Sequence, residues 1–146
     1  MKKILLTMPI LLLFSPFGAH AKASFDAKNG RYELESHVDT RNFPPEQREQ
    51  IPYGALVVKG SSKNKFDFTL EYNTGYPRFH AALAEGTASK SGKRQFHYEE
   101  ALKYYPSEKC ELNFSMKEEG VEIASPTPHA CGFGASTDPS GFYRRK

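Results

Sequence analysis

Lys65-Phe66-Asp67-Phe68-Thr69-Leu70-Glu71-Tyr72 alternates without a break: every even position is apolar or aromatic, and every odd one is charged or polar. Successive side chains on a strand point to opposite faces, so a period of two marks a strand with one buried face. Residues 61–64, just before it, are polar and read as a hairpin turn. Before that turn comes a short apolar strand over 55–60, with Leu56 and Val58 on one face. Further back, Tyr32, Leu34, Ser36 and Val38 alternate against Glu33, Glu35 and His37.

The same rhythm continues downstream. Asn73-Thr74-Gly75-Tyr76-Pro77 is a turn by composition. A strand is expected over 79–87, with Phe79, Ala81 and Leu83 sharing a face. Residues 89–93 form a polar turn, and 95–99 alternate again. Cys110-Glu111-Leu112-Asn113-Phe114-Ser115-Met116 alternates as cleanly as the Phe66 strand, and Glu118-Glu119-Gly120 turns the chain into Val121-Glu122-Ile123-Ala124. Two last strands are expected over 130–134 and 141–144. Only 44–50 and 101–105 have any helical character, one or two turns each, and neither carries an amphipathic stripe.

About eight short strands in succession, each with one apolar face, must curl or stack to bury it. The fold class is therefore all-β: a small antiparallel up-and-down barrel or sandwich, with the barrel favoured by the short turns. The chain has 11 Phe, 8 Tyr and no Trp, so aromatic rings supply much of the core. Phe66, Phe68, Phe96 and Phe114 are the expected centre.

The N-terminus reads as a secretory signal over residues 1–23. Lys2 and Lys3 precede an apolar run from Ile4 to Phe14. Small-x-small cleavage patterns then end at Ala21 and Ala23. That run is about half of the ~20 residues needed to span a bilayer, so stable membrane insertion is not expected. No cysteine follows the cleavage region closely, which argues against a lipid anchor. Residues 24–146 then form a single domain, periplasmic or secreted. Processing also removes most of the net charge of +3, which leaves no basic stripe of the kind nucleic acid requires.

Cys110 and Cys131 are the two cysteines. In an exported protein an even pair reads as a disulfide. Closing this loop stabilises a fold by roughly 3 kcal/mol in the chain-entropy model. A metal site or a reactive thiol is the competing reading, but no second Cys/His pair completes a zinc set around His129. His37, His80, His97 and His129 are scattered without ligand spacing. Glu99-Glu100 and Glu118-Glu119 are adjacent pairs, which point to opposite faces of a strand. There is no Gly-x-Ser-x-Gly elbow and no phosphate-cradling glycine loop. The expectation is a binding protein without cofactor or metal, not an enzyme. Its candidate contacts lie in three polar loops, 60–65, 89–94 and 136–141, and at Tyr104 and Tyr105.

Cys110-x-Leu112-x-Phe114, Val121-x-Ile123, Cys131-Gly132-Phe133-Gly134 and Gly141-Phe142-Tyr143-Arg144 together resemble the C-terminal pattern of a group of small exported bacterial proteins. More distantly, Ser140-Gly141-Phe142-Tyr143 is similar to the Ser-Gly-x-x-Tyr loop of periplasmic lysozyme inhibitors, one residue shorter. Those are small disulfide-bearing β-barrels, and the resemblance implies a lysozyme or another envelope protein as partner. Ser140 and Tyr143, with Lys90, would be the contacts, a lysine suiting an acidic cleft. The alternative is a small-molecule or lipid binder with its ligand inside the barrel. That would need small residues lining the interior, for which Ala81, Leu83 and Ser36 are the candidates.

Overall fold

A computed structural model of the chain describes residues 27–35, 52–75, 80–134 and 137–146. The leader over 1–23, the helical candidate over 44–50, and Ser36 and His37 lie outside the described residues. Within them there are eight strands and no helix. They are β1 (Gly30–Leu34), β2 (Tyr53–Lys59), β3 (Lys65–Asn73), β4 (Ala81–Gly92), β5 (Gln95–Ala101), β6 (Lys109–Met116), β7 (Gly120–Ala124) and β8 (Gly141–Arg145). Each strand pairs antiparallel with the next, and β8 returns to β1 to close a barrel.

The alternation of the Phe66 strand is realised directly. Phe66, Phe68 and Leu70 are buried while Lys65, Asp67 and Glu71 are exposed. β6 repeats this with Cys110, Leu112, Phe114 and Met116 inside. An eight-stranded barrel is just wide enough for side chains to fill, and here aromatic rings fill it. The Phe66 ring lies 5.0 Å from Phe96 and 5.2 Å from Phe114, both edge-on. The Phe68 ring lies 5.0 Å from both Tyr98 and Phe114. Two glycines make room for rings. A Cβ on Gly86 would sit 2.3 Å from Tyr98 Cε2, and one on Gly54 would sit 2.7 Å from the Tyr143 hydroxyl.

The face of β4 differs from expectation. Ala82, Ala84, Gly86 and Ala88 turn inward, and Ala81 and Leu83 turn out, with Leu83 56% exposed. Register explains it: Phe66↔Ala88, Phe68↔Gly86 and Leu70↔Ala84 are directly paired, so small residues of β4 share a face with large ones of β3. The inward small residues make room for the rings packed across from them.

Two further segments depart from expectation. Residues 128–134 form turns instead of a strand, with Ala130 and Cys131 N–H groups donating to Thr127 O. Residues 102–108 form a bent loop without helix, closed by Leu102 N–H to Glu108 O at 3.0 Å and Glu108 N–H to Tyr105 O at 2.9 Å. Cys110 and Cys131 are joined in a disulfide, with Cα atoms 4.5 Å apart. It ties β6 to the turn that follows β7.

Candidate functional site

The barrel has two ends of different construction. At one, the tip end, short connections join β2 to β3, β4 to β5 and β6 to β7. At the other, the loop end, longer connections run from β1 to β2, β3 to β4, β5 to β6 and β7 to β8. Two of the polar loops, 60–65 and 89–94, meet at the tip end. There Lys90 N–H donates to Asn64 O at 2.8 Å, and Lys90 Nζ lies 3.4 Å from Lys63 O. The third polar loop, which contains Ser140, is at the loop end.

Lys90 and Ser140 are therefore a strand length apart, roughly 20 Å, and do not share a contact face. Ser140 Oγ accepts a hydrogen bond from Ser125 N–H at 2.9 Å, and Ser140 N–H donates to Asp138 Oδ1 at 2.9 Å. Its side chain holds the β7–β8 connection together. Tyr143 is a correction. It is fully buried, and its hydroxyl donates to Pro139 O at 2.8 Å. Burial holds its phenol well above the usual range. β8 alternates, and Tyr143 falls on its inward phase, so it builds the core and is out of a partner's reach.

Exposed apolar surface gathers at the loop end. Tyr104 is 80% exposed and Tyr105 65%, both in the β5–β6 loop, and Tyr53 at the start of β2 is partly exposed. Leu83 stands on the outer face of β4 close by.

Beside them the barrel wall opens. The β4–β5 ladder contains only Ser89↔His97, Lys90↔Phe96 and Gly92↔Gln95, with a bulge between Lys90 and Gly92. By contrast, β3–β4 pairing runs from Lys65↔Ser89 to Asn73↔Ala81. Above Ser89, β4 and β5 separate. A bulge bends its strand and raises the local twist, and the Tyr98 ring wedges against Gly86. A cleft of about 240 Å³ lies in this gap, between Leu83 and Glu85 on one side and Tyr98 and Glu100 on the other, with the disulfide behind. The Tyr98 hydroxyl donates to Glu100 Oε2 at 2.5 Å and lies 3.4 Å from Glu85 O. Burial, then the hydrogen bond to the Glu100 carboxylate, holds this phenol above its usual range.

The β6–β7 ladder also stops short of the loop end, at Asn113↔Ala124, but a side chain bridges that gap. Thr127 Oγ1 accepts from Glu111 N–H at 3.0 Å and donates to Lys109 O at 2.8 Å. A polar cleft of about 260 Å³ lies outside it, by Glu108 and His129.

Two carboxylates, Glu85 and Glu100, line the β4–β5 gap. Glu99 is exposed on the outer face of β5. Lys109 pairs with Glu99 at 2.7 Å, and that hydrogen bond holds the Glu99 carboxyl below its usual range. Among the described residues, no group of three His, Cys, Asp or Glu side chains is placed to hold a metal, and no helix is long and apolar enough to cross a membrane.

No protein family, no curated protein and no solved structure matches this chain. The open β4–β5 gap was not anticipated from sequence. Its one signal was the mismatch between the 12 residues of β4 and the 7 of β5.

Proposed function

We propose that this chain is an exported periplasmic protein that acts by binding another protein through the loop end of the barrel. The observation that supports it is the filled interior. Phe66, Phe68, Phe96, Phe114, Tyr98 and Tyr143 pack together inside the barrel, which supports a surface reading over an interior ligand. Ala81 and Leu83, two of the residues expected to line such a pocket, face outward. On this reading recognition falls to the outer surface, where Tyr104 and Tyr105 are the most exposed large apolar groups among the described residues. Tyrosine suits such a role, with a broad apolar ring and a polar tip.

A lysozyme is the first partner to test, on the resemblance of the Ser140 segment. Tyr143 is not proposed as a contact, and Lys90 does not act together with Ser140.

The experiment is affinity capture from envelope extract with the processed protein, beside a Tyr104→Ala/Tyr105→Ala variant, with lysozyme activity assayed in parallel. The expected result is a partner held by the wild type and lost, about tenfold or more, by the variant. Equal capture by both moves the contact off the loop end. An apolar ligand co-purifying at stoichiometric level in native mass spectrometry would overturn the surface-binding reading.

A further inference from the structure

We infer that the upper edge of β4, facing the gap toward β5, accepts an extended cationic segment of a partner protein as an added strand. The inference rests on the protein-binding reading and names the chemistry of the partner.

Backbone hydrogen bonds show which way β4 points its polar groups. Lys90 N–H donates to Asn64 O, and Thr74 N–H donates to His80 O, at the two ends of the β3–β4 pair. In an antiparallel pair, hydrogen-bonded positions recur every second residue. Even-numbered residues of β4 therefore spend their N–H and C=O groups on β3. The groups of Leu83, Glu85 and Thr87 face the other way, into the gap. The contact of the Tyr98 hydroxyl with Glu85 O supports this direction independently.

β5 obeys the same parity. Met116 N–H donates to Arg94 O and Leu102 N–H donates to Glu108 O, so its even residues serve β6. Glu99 and Ala101 face β4 across the gap. Among the described residues, the β4–β5 ladder does not extend above Ser89↔His97.

Unpaired backbone groups along a strand template the addition of another strand. Natural edges are commonly blunted by lysine or proline. The stretch Leu83-Ala84-Glu85-Gly86-Thr87 has neither. Its outward side chains set the occupant. A strand paired with β4 places a residue opposite Glu85 on the same outer face, where a lysine or arginine suits the carboxylate. Two positions away the neighbour is Leu83, which suits an apolar residue. The position between them points inward at Ala84 and the Tyr98 ring, where only a small side chain fits. A second copy of this chain is the poorer occupant. Antiparallel pairing of two such edges centred on Glu85 sets like charges against each other, which is destabilising.

The test uses the full processed protein and an end-blocked Val-Ala-Lys-Ala-Val peptide, with two control peptides. One is N-methylated at alternate amides, and the other carries Glu in place of Lys. Amide exchange is followed by NMR. The peptide is expected to slow exchange at Leu83, Glu85 and Thr87 by about tenfold or more. Both control peptides are expected to fail. Glu85→Pro removes a gap-facing N–H without touching the β3 ladder, and is expected to abolish the effect. Glu85→Gln is expected to weaken it severalfold. Should the proline variant not fold, the N-methylated peptide decides the matter.

Equal binding of the N-methylated peptide overturns the inference. So does strong protection of these three amides in the free protein, which would mean the chain already covers its own edge. Protection that appears only with concentration-dependent dimerisation overturns it in favour of a second copy. Loss of the peptide effect while envelope capture persists removes the strand-accepting edge and leaves the protein-binding reading standing.

Discussion

Tyr143 illustrates how a residue can carry a recognition motif in one setting and a core in another. Its ring fills the loop end of the barrel against Gly54, and its hydroxyl is satisfied by Pro139 O. Tyr98 does the same lower down, against Gly86. Both phenols ionise far less readily in the barrel than the ordinary value of 10.0. Above that pH the unfolded chain loses their protons while the folded one keeps them, so stability falls as pH rises. A spectrophotometric tyrosine titration should show a slow fraction that ionises only with unfolding, reduced in Tyr143→Phe. Gly86→Ala should destabilise the barrel by about 1–3 kcal/mol, because the added methyl meets the Tyr98 ring. Phe114→Ala should cost about 3–5 kcal/mol by leaving a cavity among Phe66, Phe68 and Ile123. Urea denaturation measures both.

At the scale of elements, two ladders stop short of the loop end and are treated differently. β6 is closed off by the Thr127 side chain and by the disulfide. β4 has no ladder to β5 above Ser89 among the described residues. Thr127→Val should cost about 1–2 kcal/mol by stranding Glu111 N–H, seen as faster amide exchange at Glu111. Replacing Cys110 and Cys131 together with serine should lower stability by about 2–4 kcal/mol. The loss should appear first as exchange in 127–134 and along upper β6.

The whole molecule sets its two ends apart. Closure of β8 on β1 removes the outermost edges of the sheet and separates the tip-end lysines from the loop-end tyrosines and carboxylates. Binding at the loop end should therefore be indifferent to Lys90→Ala and reduced by Tyr104→Ala/Tyr105→Ala, as surface plasmon resonance with a captured partner would report. If the partner segment is cationic, the association rate should fall as salt is raised.

The local rhythm of the chain determined the strands and most of their buried faces. Phe66, Phe68, Leu70, Leu112 and Phe114 are committed by a period of two, which neighbours cannot alter without turning every side chain over. The pairing of Cys110 with Cys131 was legible because two cysteines offer one partner each. Where residues are small and weakly patterned, as in 81–88, alternation did not decide the face. Register against Phe66 and Phe68 did. The same holds for Tyr143, whose place inside depends on the space left over Gly54, a residue far away in sequence. The separation of Lys90 from Ser140 and the opening between β4 and β5 follow from barrel closure and one bulge. These are relations between strands, and no single stretch of sequence encodes them.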